Sequence, residues 1–209
     1  MKALANFYQY CIWIFFLASL GLIVSCAAKK TGLRYYLGEN YAKSASIYEQ
    51  VLDNSPGDEK AMMMAGWSYF KLKRYEEALM AFQKMHKLAP ASEEAMEGMG
   101  WSLYMVGRYE EASRFFYPLV RKNHISTSNV EGLGYCHFKL KNYSAARTCL
   151  EYALVENPSS QDNHVVMGYI CIELHDYSLA LNHFNKALDL NPDNDDALAG
   201  LKQIKTIKG

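Results

Sequence analysis

GWSYFKLKRYEEALMAF, residues 66–82, returns at residues 100–116 as GWSLYMVGRYEEASRFF. Both stretches open with Gly-Trp-Ser and carry Arg-Tyr-Glu-Glu-Ala at the same offset, so one unit is written twice, 34 residues apart. The same step from Gly100 reaches Gly134 and Gly168, and backwards from Gly66 it reaches Gly32. Nine residues beyond each glycine stands a tyrosine: Tyr41, Tyr75, Tyr109, Tyr143 and Tyr177. Alanine follows in four of the five copies, at Ala78, Ala112, Ala146 and Ala180. A bulky residue comes next, at Tyr48, Phe82, Phe116, Leu150 and Phe184, and proline closes the unit at Pro56, Pro90, Pro158 and Pro192. A fixed period kept from residue 25 to 194 means stacked supersecondary units, none of which buries its apolar face alone.

Within each copy the spacing predicts two helices. Apolar positions between the glycine and the tyrosine keep helical periodicity, and a short polar break such as Lys73-Arg74 or Val106-Gly107-Arg108 separates the helices. Glycine and alanine stand where two helix axes must approach closely, and proline ends the second helix. The copies run over about 25–58, 59–92, 93–126, 127–160 and 161–194. The tail, residues 195–209, predicts one more amphipathic helix that covers the last exposed face.

This pattern resembles the tetratricopeptide repeat. It is complete in 161–194 as Gly168, Tyr177, Ala180, Phe184, Ala187 and Pro192. The resemblance implies an all-α, right-handed α-solenoid of five helix-turn-helix units plus a C-terminal capping helix. Three departures stand out. The usual tryptophan at the fourth position is replaced by Ala28, Met62, Met96, Val130 and His164. The third copy has His124 where the closing proline belongs. It carries Pro118 inside its second helix instead, where a lost backbone bond to the Arg114 carbonyl predicts a kink or, in a sharper reading, a hinge between two halves of the array.

Repeat positions 4, 7, 8 and 11 of each first helix are expected to pack on the second helix, so positions 2, 5, 9 and 12 look outward. The resemblance implies that this concave side binds extended or helical peptide segments. Position 9 reads Leu33, Trp67, Trp101, Tyr135, Tyr169, and position 12 reads Tyr36, Phe70, Tyr104, Phe138, Ile172. Aromatic anchors supply binding energy at little entropic cost. The candidate peptide groove is Trp67, Trp101, Tyr135, Tyr169, Met63 and Tyr104; packing between neighbouring helices is the competing role, expected above all at position 12. The carboxylate clamp of chaperone-binding family members cannot be assembled, since Met63, Trp67, Glu97, Gly98, Trp101 and Glu131 fill the positions it needs.

The N-terminus differs from the rest. Residues 11–28 form an uncharged run, preceded by Lys2 and followed by Lys29 and Lys30. Ile23-Val24-Ser25-Cys26 resembles the lipobox of bacterial lipoproteins, which implies lipidation of Cys26 after removal of residues 1–25 as a signal peptide. An uncleaved membrane anchor is the alternative, and Lys29, Lys30 and Arg34 favour it by the positive-inside rule. The lipoprotein reading places the chain at a bacterial outer membrane facing the periplasm; the anchor reading places it at the inner membrane with its repeats in the cytosol.

Composition excludes other classes. Lysine plus arginine equals aspartate plus glutamate at 22 each, so no basic face for nucleic acid is expected. No phosphate-binding loop, nucleophile elbow or metal-binding motif is present, so no catalytic residue, metal or cofactor is assigned. The six histidines fall at unrelated repeat positions and read as packing or surface residues. Cys136, Cys149 and Cys171 read as small buried hydrophobes, with a Cys136–Cys171 bridge conceivable. The resemblance to tetratricopeptide lipoproteins implies a membrane-tethered scaffold that binds protein partners, with self-association open, in assembly of a pilus, secretion or outer-membrane complex. The alternatives are a cytosol-facing adaptor and an accessory subunit of an enzyme.

Overall fold

The computed structural model describes residues 24–122 and 126–208. Most of the apolar run, with Cys11, lies outside them, as does His124. The described residues form eleven helices and no strand, an all-α repeat solenoid. Residues 24–37 form α1, followed by α2 (Tyr41–Asn54), α3 (Glu59–Lys71), α4 (Tyr75–Leu88), α5 (Glu93–Met105) and α6 (Tyr109–Leu119). Beyond these come α7 (Thr127–Lys139), α8 (Tyr143–Glu156), α9 (Gln161–Glu173), α10 (Tyr177–Leu190) and α11 (Asp195–Lys208). Two compact units divide them, one up to Gly98 and one from Met99.

Side-chain caps start the first helices. Asp58, Ser92, Ser160 and Asn194 accept from the backbone N–H three residues on, at 2.9, 3.1, 3.4 and 2.7 Å. Each satisfies one of the donors that a helix leaves open at its N-terminus. The turn into the second helix is the same in every copy. Arg74 N–H bonds the Tyr69 carbonyl and Lys73 N–H the Phe70 carbonyl, the pair of bonds that closes a helix around a left-handed residue. That residue is Glu39, Lys73, Gly107, Lys141 or His175, all at the fifteenth repeat position, with φ of 58, 60, 81, 62 and 62°. Only the third copy uses glycine there, so four side chains hold a conformation that disfavours them.

The bulky residue of each second helix is the key of the core. In the first unit the Phe82 ring is fully buried between Gly66 and Gly98, where an added Cβ would come within 2.7 and 2.4 Å of it. In the second, Phe116 lies likewise between Gly100 and Gly132, and Phe184 between Gly168 and Gly200. The fourth copy has the smaller Leu150, and Val166 stands in the next first helix where Gly98, Gly132 and Gly200 adjoin the phenylalanines; in the first copy Tyr48 has Gly32 on one side and Met64 at the corresponding place on the other. Each buried phenylalanine of a second helix thus goes with a missing side chain on both neighbouring first helices.

Pro118 shortens α6 rather than carrying it onward with a bend. The helix ends at Leu119 after 11 residues, whereas α2, α4, α8 and α10 each have 14. The boundary between the compact units falls within α5, not at Pro118. Proline therefore acts here as a stop, because α6 has only one further residue.

Candidate functional site

The first helices are buried from two sides. Positions 4, 7, 8 and 11 pack as expected, and positions 3, 6 and 10 are buried too, as Ala61, Met64 and Ser68 in α3 or Asn163 and Ile170 in α9. Ser68 shows why: its hydroxyl donates to the Met64 carbonyl at 2.7 Å and lies 2.9 Å from the hydroxyl of Ser44 in the preceding second helix. What remains in α3, α5 and α7 is a narrow, half-buried stripe along positions 5, 9 and 12; in α9 Val165 and Ile172 are buried and only Tyr169 of that stripe stays half-buried.

In the first unit Trp67 meets Phe82 edge-on with centroids 5.0 Å apart and Phe70 at 5.6 Å. Met63 packs against the core of Met62, Met85 and Ala95. In the second unit Trp101 meets Phe116 at 5.3 Å, Tyr104 at 6.0 Å and Tyr135 at 6.3 Å. Its indole N–H donates to Ser128 Oγ at 3.2 Å. Tyr169 meets Phe184 at 5.2 Å and donates to the Asp196 carbonyl at 2.8 Å. Each position-9 ring is thus fastened on its inner edge to the core key beneath it and remains half-exposed. Position 12 is tied to the second helix of its own copy: Phe70 to Tyr75 and Tyr104 to Tyr109, at 5.3 and 5.4 Å. Burial pushes the Tyr104 hydroxyl up to about 12.

A polar network crosses the second unit's stripe. Tyr135 O–H donates to Asn163 Oδ1, and Asn163 Nδ2 donates to Glu131 Oε1 at 2.7 Å. Asn163 is fully buried, so both halves of its amide are committed to holding the rim. Burial and the carboxylates of Glu131 and Asp162 raise the Tyr135 pKa well above its ordinary value, so it stays a neutral donor. The signal in the sequence is asparagine at the third position of two successive copies, Asn129 and Asn163, of which Asn163 accepts from the Tyr135 hydroxyl.

Two histidines that read as scattered come together. His164 and His183 place their Nδ1 atoms 3.0 Å apart, and His164 Nε2 lies 3.0 Å from the Pro158 carbonyl. A carbonyl only accepts, so His164 carries its proton on Nε2 and accepts at Nδ1 from His183. The pair lines a cavity of about 720 Å³ between α8, α9 and α10, with Leu154, Met167 and Leu179 as apolar wall and the Arg147–Glu151 ion pair (2.7 Å) and Lys186 at its edge. Burial, with the neighbouring His164 and Lys186 and Arg147, lowers the His183 pKa to about 4. Burial also lowers that of His164. The signal was the departure of His164 from the tryptophan usual at its position.

Cys136 and Cys171 are buried, Cys149 is half-buried and all three are free thiols. Burial pushes the Cys136 thiol up to about 12, far from a reactive thiolate. Among the described residues no three metal-binding side chains converge, and no helix is long and apolar enough to cross a membrane. Cys26 is exposed on α1, three residues before Lys29, whose ammonium pairs with Asp58 at 2.8 Å.

Stacked helix pairs with a keyed aromatic core and an outward aromatic row define a helical repeat protein. Residues 30–93 match the family model described as tetratricopeptide repeat. Residues 105–187 match the model for anaphase-promoting complex, cyclosome, subunit 3. Among curated proteins none matches the chain. Of solved structures, PilW, described as a widely conserved type IV pilus biogenesis factor, is similar at 20% identity with a TM-score of 0.76, over 88% of this chain and 85% of that one. YrrB, described as a TPR protein with an unusual peptide-binding site, is similar at 19% identity and a TM-score of 0.69, over 84% and 90%. MamA from Desulfovibrio magneticus RS-1 is similar at 18% identity and a TM-score of 0.72, over 82% and 97%. At these identities the likeness concerns the fold.

Proposed function

We propose that this chain is a membrane-tethered scaffold, without catalytic activity of its own, that holds partner segments on the position-9 aromatic rings of the first helices within each unit and serves assembly of a cell-envelope complex. The observation that carries the binding role is the state of the position-9 rings. Trp67, Trp101, Tyr135 and Tyr169 are anchored from below and half-exposed above, pre-ordered so that a partner would not have to immobilise them. The role of PilW in pilus biogenesis and the peptide-binding site of YrrB support the class of activity; the partner itself follows from neither.

The tether is proposed to be a lipid on Cys26. Packing begins just beyond it: the Tyr48 hydroxyl donates to the Lys29 carbonyl at 3.0 Å, and an added Cβ at Gly32 would reach within 2.8 Å of the Tyr48 ring. Cleavage before Cys26 would leave α1 its packed part, with almost no linker between lipid and repeat. Intact mass of the membrane-extracted protein, wild type beside Cys26→Ser, tests this. A chain beginning at a lipidated Cys26, lost in the variant, is expected. A full-length unlipidated chain in both would replace this reading by the inner-membrane adaptor that Lys29, Lys30 and Arg34 favour.

A further inference from the structure

We propose that the aromatic face of the second unit is a docking surface for a cationic partner, an extended segment of protein bearing lysine or arginine. This deepens the binding role proposed above and rests on it. Across repeat positions 2, 5, 9 and 12 of α7, α9 and α11 the charged side chains are Glu131, Asp162 and Asp196, and none is lysine or arginine. These carboxylates stand beside rings: Glu131 and Asp162 both act on the Tyr135 hydroxyl, and Asp196 acts on that of Tyr169. Rings flanked by carboxylates suit an ammonium or guanidinium, which gains the ring quadrupole and the opposite charge together. At the edge of the face one ring already has a cation near it, with Lys139 Nζ 5.7 Å from the centroid of the adjacent Phe138 ring.

Helix electrostatics account for part of this charge but not all of it. Asp162 and Asp196 lie in the first turns of α9 and α11, where the dipole favours a carboxylate in any helix. Glu131 lies beyond the first turn of α7. It is held by the neutral amide of Asn163, which orients the carboxylate and leaves its charge in place. The chain as a whole has a formal net charge of +0, so attraction of a basic segment would be local to this face and not a bulk effect.

The test is selection of a random dodecapeptide library on the full-length chain, wild type beside the Glu131→Gln/Asp162→Asn double variant, with peptide affinity then measured at low and high salt. Glutamine at 131 keeps an acceptor for Asn163, and thermal melting of the variant checks that it folds. Enriched peptides are expected to carry lysine or arginine and to bind at least about tenfold more weakly to the variant, from roughly fivefold for each lost charge contact. Their affinity for the wild type should also fall as salt rises, a readout that needs no variant. Enrichment of neutral or acidic peptides that are lost on Trp101→Leu would overturn the cationic partner and leave the binding face standing. No enrichment above an unrelated control protein would overturn both.

Discussion

The two copies of Gly-Trp-Ser share a core and differ in what surrounds it. Trp67 and Trp101 both lie edge-on over a phenylalanine wedged between glycines. Beyond that the neighbourhoods diverge. Trp101 donates to Ser128 and adjoins Tyr135, within a face whose charges are Glu131, Asp162 and Asp196. In the first unit, Lys29 and Lys60 occupy the corresponding positions of α1 and α3. The repeated motif is therefore a packing solution, and the residues between its fixed points decide what each copy can recognise.

The strongest way to break the shared part is to remove the key. Phe82→Ala and Phe116→Ala should each cost about 3–5 kcal/mol, since each ring is fully buried. Equal losses in urea unfolding would confirm that the copies share one core design, and a loss below 1 kcal/mol at either would contradict it. Gly132→Val alone should destabilise by about 1–3 kcal/mol, because the new side chain meets the Phe116 ring. Adding Phe116→Leu should restore part of that, reproducing the Leu150 and Val166 pairing of the fourth copy; a double-mutant cycle with no coupling would show that the pairing is incidental.

The histidine pair distinguishes the second unit by pH. His183 titrates near 4 when folded against an ordinary 6.5, so the unfolded chain binds more protons between those values. Stability should be full above about pH 6.5 and should fall as pH drops towards 4, by on the order of 1–2 kcal/mol after discount for solvent screening. The groups facing His183 are His164, Lys186, Arg147 and Glu151, and the first three all oppose its protonation. His183→Leu should flatten this part of the pH profile; an unchanged profile would assign the loss elsewhere.

The smallest effects belong to the turns. Lys73→Gly and Lys141→Gly should each stabilise by about 0.5–1 kcal/mol by relieving the left-handed backbone, whereas Gly107→Ala should cost about 1 kcal/mol. The same sign at all three positions would mean that the turns are not equivalent.

Much of the fold was legible in the sequence because period and spacing are one-dimensional. Glycine to tyrosine to alanine to bulky residue, repeated at a fixed step, gave the helix pairs, and α3, α5, α7, α9 and α11 begin at residues 59, 93, 127, 161 and 195, one period apart. The repeat positions also placed the aromatic row on one stripe of the first helices. The left-handed residue was hidden because lysine, histidine and glutamate do not announce a positive φ as glycine does. The reach of Pro118 depended on where α6 would end. Tertiary structure alone decided which side of a helix buried from two directions stays open, that Asn163 binds Tyr135 and Glu131 at once, and that His164 meets His183. Those contacts join residues from different helices, and their distances are set by how closely the side chains between the helices, from glycine to Leu150 and Val166, let the axes approach.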